Sequence, residues 1–319
     1  MASASQLDFV TVDVFTSKPY EGNPLAIIRI PSGQTVSQDQ KQAIAREFNL
    51  SESTFLHEKD AYAQEDTWTV DIFMTTKELP FAGHPTIGTA CYVLERTAQE
   101  RGIREGAMEA KFNLKAGPVA LCYDVVKKTA RASIPHNVHI HRKKWSRHDL
   151  FTIQPGLARA HQQNEVQIKS DFPIVSIVKG MTFILIELES VEALGLVSLA
   201  NQAMSIEGLD EGWNETFIGS YFFVRTGKSK EGVTSIRTRM IEGPLEDPAT
   251  GSAASDLAAY LSLTEGKPSE TLKYEIVQGV EMGRRSEILI EIELADDKTV
   301  SKLYLEGGAV QIMQGRLTV

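Results

Sequence analysis

Apolar and polar residues alternate through Phe9-Val10-Thr11-Val12-Asp13-Val14-Phe15, the period of a half-buried strand. A turn at Gly22-Asn23-Pro24 and the apolar run Leu25-Ala26-Ile27-Ile28 follow, so the chain is predicted to open as a hairpin. Ser37 and Gln40 carry the spacing of a capping box, with Ala43, Ile44 and Phe48 as the buried face of a helix ending near Asn49. Strand patterns recur at Thr54 to Leu56, Trp68 to Met74, Lys111 to Leu114 and Pro118 to Tyr123. Further along they return at Ile174 to Val178, Phe183 to Leu188, Tyr221 to Val224, Ser235 to Met240, Tyr274 to Val277 and Ile288 to Ile292, with a helix expected from Val191 to Met204. Between the two series, Pro135 to Ser170 is polar and irregular and reads as a linker leading into a second domain.

One motif is written twice. His84-Pro85-Thr86-Ile87-Gly88-Thr89-Ala90 and Asp247-Pro248-Ala249-Thr250-Gly251-Ser252-Ala253 align position by position, and the offset between them is about half the chain. Each has a residue able to cap a helix followed by Pro, so each predicts a helix with Pro at its first position, where a missing N–H costs nothing. Behind the first copy Ile87, Ala90, Cys91 and Leu94 keep helical spacing, as do Thr250, Ala253, Ala254 and Leu257 behind the second. The first helix is expected to run to about Arg101. The two halves therefore share one fold, each with many short strands and one small-residue helix. The Ala-rich stretch from Ala253 to Ala259 suits a helix enclosed by a curved sheet. Strand and helix do not alternate regularly, which argues against a doubly wound parallel sheet. The fold class is α+β, in two domains, 1–135 and 136–319, whose last strand is able to return to the first domain.

A helix N-terminus offers unsatisfied N–H donors and the positive end of the macrodipole, so two of them facing a common cleft would hold a small carboxylate. Two ordinary capped helices in a duplicated scaffold are the plainer alternative.

At 319 residues, 42% hydrophobic and 24% charged, the chain has the composition of a globular protein with room for two cores. A formal charge of −9 and a pI near 5.4 argue against nucleic acid or an anionic membrane as partner. Met1 to Gln6 have neither a basic stretch nor an apolar one, so a frayed start and a cytosolic (cytoplasmic) protein are expected. Of the two cysteines, Cys91 lies on the apolar stripe of the first motif helix and Cys122 in a strand, and both are expected in the core. His136, His139 and His141 have the spacing of metal ligands, but no neighbouring Cys or carboxylate cluster completes a set. A solvated linker is the reading, with no metal site. Nucleotide-binding, zinc-peptidase and serine-hydrolase motifs are absent from the sequence.

Glu52, in Asn49-Leu50-Ser51-Glu52-Ser53-Thr54-Phe55, places one carboxylate in a polar turn between a helix end and a strand. Taken with Gly22-Asn23-Pro24-Leu25-Ala26, Phe81-Ala82-Gly83-His84-Pro85 and Glu246 to Ala253, this turn resembles the PhzF family, the phenazine-biosynthesis isomerase group with the diaminopimelate-epimerase-like fold. The resemblance implies two pseudo-symmetric domains, each a curved β-sheet or barrel around a central helix, and a homodimer. It implies Glu52 as the proton-shuttling acid/base, with His84, Asp247 and Ser252 around the substrate and no cofactor. Related epimerases use two cysteines as bases; this chain has Ala82-Gly83-His84 and Pro248 to Gly251 at those places, so the two-thiol mechanism does not apply.

The reading is a cofactor-independent isomerase of a small unsaturated or amino-substituted carboxylic acid, in the manner of trans-2,3-dihydro-3-hydroxyanthranilate isomerase. Glu52, His84 and Asp247 are its candidate catalytic residues; Gly83, Thr86, Gly251 and Ser252 are its candidate substrate-binding residues. For His84 and Asp247 simple helix capping is the alternative. The rival functions are an epimerase or racemase with a second base, and a catalytically idle carboxylate-binding protein. Glu58, outside the motif, is expected to be a solvated surface group.

Overall fold

The computed structural model describes residues 6–60, 65–202, 204–214 and 216–319, and the chain divides into two compact units. The expected frayed start, at residues 1–5, lies outside the described residues. Unit 1 comprises Met1–Ile134 and Leu305–Val319, and unit 2 comprises Pro135–Tyr304.

In unit 1, β1 (Gln6–Val14) pairs antiparallel with β2 (Asn23–Ile30), giving the opening hairpin. Helix α1 (Gln38–Phe48) starts at the Ser37–Gln40 capping box and stops at Asn49, whose left-handed backbone closes it. The chain returns as β3 (Ser53–His57), parallel to β2, then β4 (Thr67–Phe73), antiparallel to β3, and the short β5 (Glu78–Leu79) on β4. Helix α2 (Gly83–Arg101) follows, and Gly102 ends it in the left-handed region. Then come β6 (Ala107–Leu114), parallel to β4, β7 (Gly117–Asp124) and β8 (Thr129–Ser133).

Unit 2 repeats this order after an added start. Its strand β9 (His139–Ser146) and helices α3 (Arg147–Ile153) and α4 (Pro155–Gln162) occupy the stretch read as a linker. The linker expectation is therefore corrected. Ser146 caps α3 through a box with Asp149, and β9 pairs antiparallel with β10 (Asp171–Val178). From β10 onward, β11 (Met181–Glu187) is antiparallel, β12 (Phe217–Lys228) parallel to β11, and β13 (Thr234–Glu242) antiparallel to β12. Strand β14 (Leu245–Asp247) folds back on β13, α6 (Gly251–Glu265) follows, β15 (Thr271–Gln278) is parallel to β13, and β16 (Ser286–Leu294) is antiparallel to β15. This sequence of pairings is that of β1 to β7, so the duplicated motif belongs to a duplicated topology. Among the described residues between β11 and β12 the short α5 (Val191–Gly195) is the only helix, in place of the longer one expected to Met204.

The final strand β17 (Val300–Thr318) pairs antiparallel with β1, from Gln6 opposite Thr318 to Val14 opposite Ala309, and also with β8. Strands β1, β2, β3, β4, β6, β7, β8 and β17 thereby close a barrel. Its axis is filled by α2, which packs on β1, β2, β3, β7 and β8. Gly88 makes that enclosure possible: a Cβ there would lie 2.5 Å from a Val14 methyl and 2.8 Å from one of Leu25. On the outer face α1 covers Leu7, Ala26, Ile28 and Phe55, which explains why β2 reads as a continuous apolar run. In unit 2, α6 packs on β10, β11, β15 and β16, near both ends of the strand order, so that sheet also curves around its helix. No helix among the described residues is long and apolar enough to cross a membrane.

Helix α6 carries one anomaly. Asp256 is fully buried, and neither carboxylate oxygen has a hydrogen-bond partner among the described residues. Burial pushes its carboxyl well above the ordinary aspartate value. In the unfolded chain the same group ionises near ~3.9. Between these two values the native state holds the extra proton, so the stabilising contribution is complete below about pH 4 and is lost as pH rises toward the folded value. Asp256→Asn, close in size and never charged, is expected to flatten that fall. Urea unfolding from pH 4 to 8 checks it: wild type and variant losing stability in parallel would contradict the account.

Candidate active site

Glu52 stands where the chain leaves α1 and enters β3. The left-handed Asn49 turns the backbone, and pairing of Ser53 with Ala26 fixes the strand that follows. His84 is the second residue of α2, and its side chain is 5% exposed. The two side chains meet: Glu52 Oε2 lies 3.4 Å from His84 Nδ1. Burial pushes the His84 imidazole down to about 3, so the ring is neutral at physiological pH. Its Nε2 is buried and without a hydrogen-bond partner among the described residues. With Nδ1 turned to the carboxylate, Nε2 is left as an acceptor, and a buried acceptor of this kind costs free energy until a donor reaches it. Gly83 lies beside His84 in the same first turn. Thr86, fully buried, has its hydroxyl committed to the Ala82 carbonyl at 2.7 Å.

In unit 2 the second motif is built differently. Asp247 is the last residue of β14, opposite Met240, and accepts a hydrogen bond from the Thr250 hydroxyl. Thr250 is the N-cap residue of α6, and Gly251 and Ser252 form the helix's first turn. Strand β14 is held by Arg239, whose buried guanidinium donates twice to Glu246, at 2.8 and 2.7 Å. Behind the motif sits Gln278, which donates to the Asp247 carbonyl at 2.8 Å and to the Thr250 hydroxyl at 3.0 Å, and accepts from the Thr250 N–H at 3.3 Å. The Tyr221 hydroxyl, 3.1 Å from Gln278 Oε1, completes the support. Gln278 and Tyr221 escaped the sequence reading; each ends or fills an ordinary strand, and no local signal marks either.

Three expectations are corrected: the position of the motif prolines, the solvation of Glu58 and the burial of Cys122. Neither motif proline occupies the first helical position: Pro85 is the third residue of α2, and Pro248 precedes the N-cap of α6. Neither helix start has a side-chain cap, so His84 and Asp247 are not capping residues. Glu58 is not a solvated group. Arg96 grips it bidentately at 2.8 and 2.6 Å, Arg29 adds a third contact at 2.5 Å, and these guanidiniums outweigh burial to hold its carboxyl below the ordinary value. Cys91 is buried as expected, its thiol against the Gly307 carbonyl, and burial pushes its pKa to about 12; Cys122 is only half-buried.

A half-buried carboxylate thus stands against a neutral imidazole with one unsatisfied nitrogen, in a barrel closed around a central helix. The family model for phenazine biosynthesis-like proteins matches residues 12–315, so the chain belongs to that family. Its activity is that of an isomerase. It is 30% identical to trans-2,3-dihydro-3-hydroxyanthranilate isomerase of Pseudomonas aeruginosa, over 97% of this chain and 98% of that one. It is 29% identical to an uncharacterized isomerase of Mesorhizobium japonicum, over 98% and 99% of the two chains. Among solved structures a PhzF-family protein of Bacillus anthracis superposes with a TM-score of 0.73 at 18% identity, over 99% of this chain and all of that one. A hydroxyproline epimerase of Agrobacterium vitis shares the fold at a TM-score of 0.58 and 12% identity, over all of this chain and 94% of that one.

Proposed function

We propose that the protein isomerises a small unsaturated or amino-substituted carboxylic acid by a cofactor-independent proton shift, with a substrate close to trans-2,3-dihydro-3-hydroxyanthranilate. The observation that carries this is the Glu52–His84 pair: one carboxylate 3.4 Å from a buried imidazole whose far nitrogen has no hydrogen-bond partner among the described residues. The allylic C–H beside a conjugated carboxylate is weakly acidic, so its removal needs a base held in contact. Glu52 takes the proton, the C–H electron pair moves into the conjugated system and the double bond shifts. The protonated Glu52 then returns the proton to a different carbon on the same face. His84 Nε2 accepts a hydrogen bond from the amine or hydroxyl of the substrate. In unit 1 the N–H group at Gly83 holds the carboxylate, and in unit 2 Asp247, Gly251 and Ser252 are the residues proposed to bind substrate. The relative from Pseudomonas aeruginosa supports the substrate class.

Incubation with trans-2,3-dihydro-3-hydroxyanthranilate in D₂O tests the reading. Enzyme-dependent deuterium at a carbon other than the one that lost its proton supports it. Deuterium entering with inversion at the original carbon would assign an epimerase instead, and binding with neither conversion to product nor exchange would leave only a carboxylate-binding protein. A cytosolic homodimer belongs to the same proposal, and light scattering of the purified protein measures its mass.

A further inference from the structure

His139 and His141 alternate on β9, and alternate residues of a strand share a face. Their rings meet edge to face with centroids 4.8 Å apart. The carboxylate missing from their local sequence arrives from the loop before β12. Asp210 Oδ2 lies 2.8 Å from His139 Nε2 and 4.0 Å from His141 Nδ1, and one donor atom from each of the three residues falls within 4.8 Å of the others. Tetrahedral zinc with Zn–N and Zn–O bonds of ~2.1 Å implies donor atoms ~3.4 Å apart, a value inside that spread.

The surroundings are built to match. His141 Nδ1 accepts a long hydrogen bond, 3.4 Å, from the Asp210 N–H, so this nitrogen carries a lone pair and no proton, and the donor that holds it is weak enough for a cation to displace. Two acceptors opposed at 4.0 Å leave a place for a cation. The far nitrogen of His141 bonds the Ser176 hydroxyl at 2.9 Å, which continues to Thr182 at 2.7 Å and Thr216 at 2.8 Å. Such an outer hydrogen bond fixes the orientation and tautomer of a ligating imidazole. Trp213 stacks on the His139 ring at 4.7 Å, holding it in place. The Arg142 side chain reaches the other oxygen, Oδ1, at 3.3 Å and is 90% exposed, and its backbone N–H touches Oδ2 only at 3.4 Å, so both contacts are weak and yield readily.

We propose that His139, His141 and Asp210 form a binding site for a borderline divalent cation, zinc above all, with solvent as a fourth ligand. Two imidazoles and one carboxylate suit zinc and disfavour magnesium or calcium, which prefer all-oxygen ligand sets. The ion would tie the loop carrying Asp210 and Trp213 to β9, within unit 2. The site shares no residue with the Glu52–His84 pair and stands apart from the proposed isomerase reading.

The full-length protein, stripped with chelator and dialysed, is titrated with Zn²⁺ by calorimetry and with Co²⁺ by visible absorption. The expected result is one saturable equivalent with the absorption bands of four-coordinate cobalt. Asp210→Asn and His139→Gln, both partly exposed positions, should each weaken binding at least ~10-fold, and Ser176→Ala by about 10-fold through the His141 ring. Zn²⁺ should also protect His139 of the wild-type protein from carbethoxylation, a readout that needs no variant to fold. Absence of saturable binding, or binding and protection unchanged by loss of Asp210, would overturn the site.

Discussion

Glu52→Gln is expected to fold as the wild type does and to lose turnover by at least ~10²-fold, about 2.7 kcal/mol of transition-state stabilisation. The substitution keeps the size of the side chain and a hydrogen-bonding oxygen beside His84, and removes only the capacity to take a proton. His84 cannot replace it easily. Burial holds that imidazole neutral down to about pH 3, so it has no proton to give as an imidazolium at neutral pH. Steady-state kinetics and D₂O exchange should fall together. Glu58 is unsuitable as the comparison, because Arg29 and Arg96 bind it and its loss would disturb β2, β3 and α2 at once. The exposed Glu105 serves instead, with Glu105→Gln expected within two-fold of wild type. Normal exchange in the Glu52 variant would remove it as the base and turn attention to His84 and Asp247.

What was legible in the sequence was local. The capping box at Ser37, the Asn49 stop, the end of α2 and the strand patterns of both halves depend on residues a few positions apart, and all are present in the structure. The register of the two motif helices was not legible. A proline anywhere in the first turn gives up an N–H that has no partner in any case, so Pro85 fits as well at the third position as at the first. Strand β9 was hidden because Arg142, Lys143 and Lys144 face solvent and break the apolar alternation, while its pairing with β10 is non-local. The candidate site divides the same way. Glu52 and His84 were found from their motifs, and the structure brings them together; Gln278 acts through partners about thirty positions away, and Asp210 meets His139 across about seventy, distances at which no sequence pattern operates.

Gly279→Ala is expected to cost about 2–4 kcal/mol of stability and to lower turnover at least ~10-fold with it. Gly279 follows Gln278 directly and has a φ of +75°, where a side chain is strained before any contact is considered. A Cβ there would also lie 2.4 Å from the Arg284 carbonyl oxygen and 2.7 Å from that of Pro248. Both neighbours are backbone, so nothing flexible can yield, and the segment forced to move is the one between Asp247 and Thr250. Gln278 binds both of those residues, so displacement of Pro248 strains the whole support of the second motif. Gly283→Ala separates the two causes. Its φ is +72°, and nothing lies within 4 Å of a Cβ built on it, so it carries the backbone strain alone, about 1–2 kcal/mol, with turnover unchanged. Denaturant unfolding and kinetics on both variants give the comparison. Equal losses at the two positions would mean that the close approach of Gly279 to Pro248 does not hold the Asp247 segment in place.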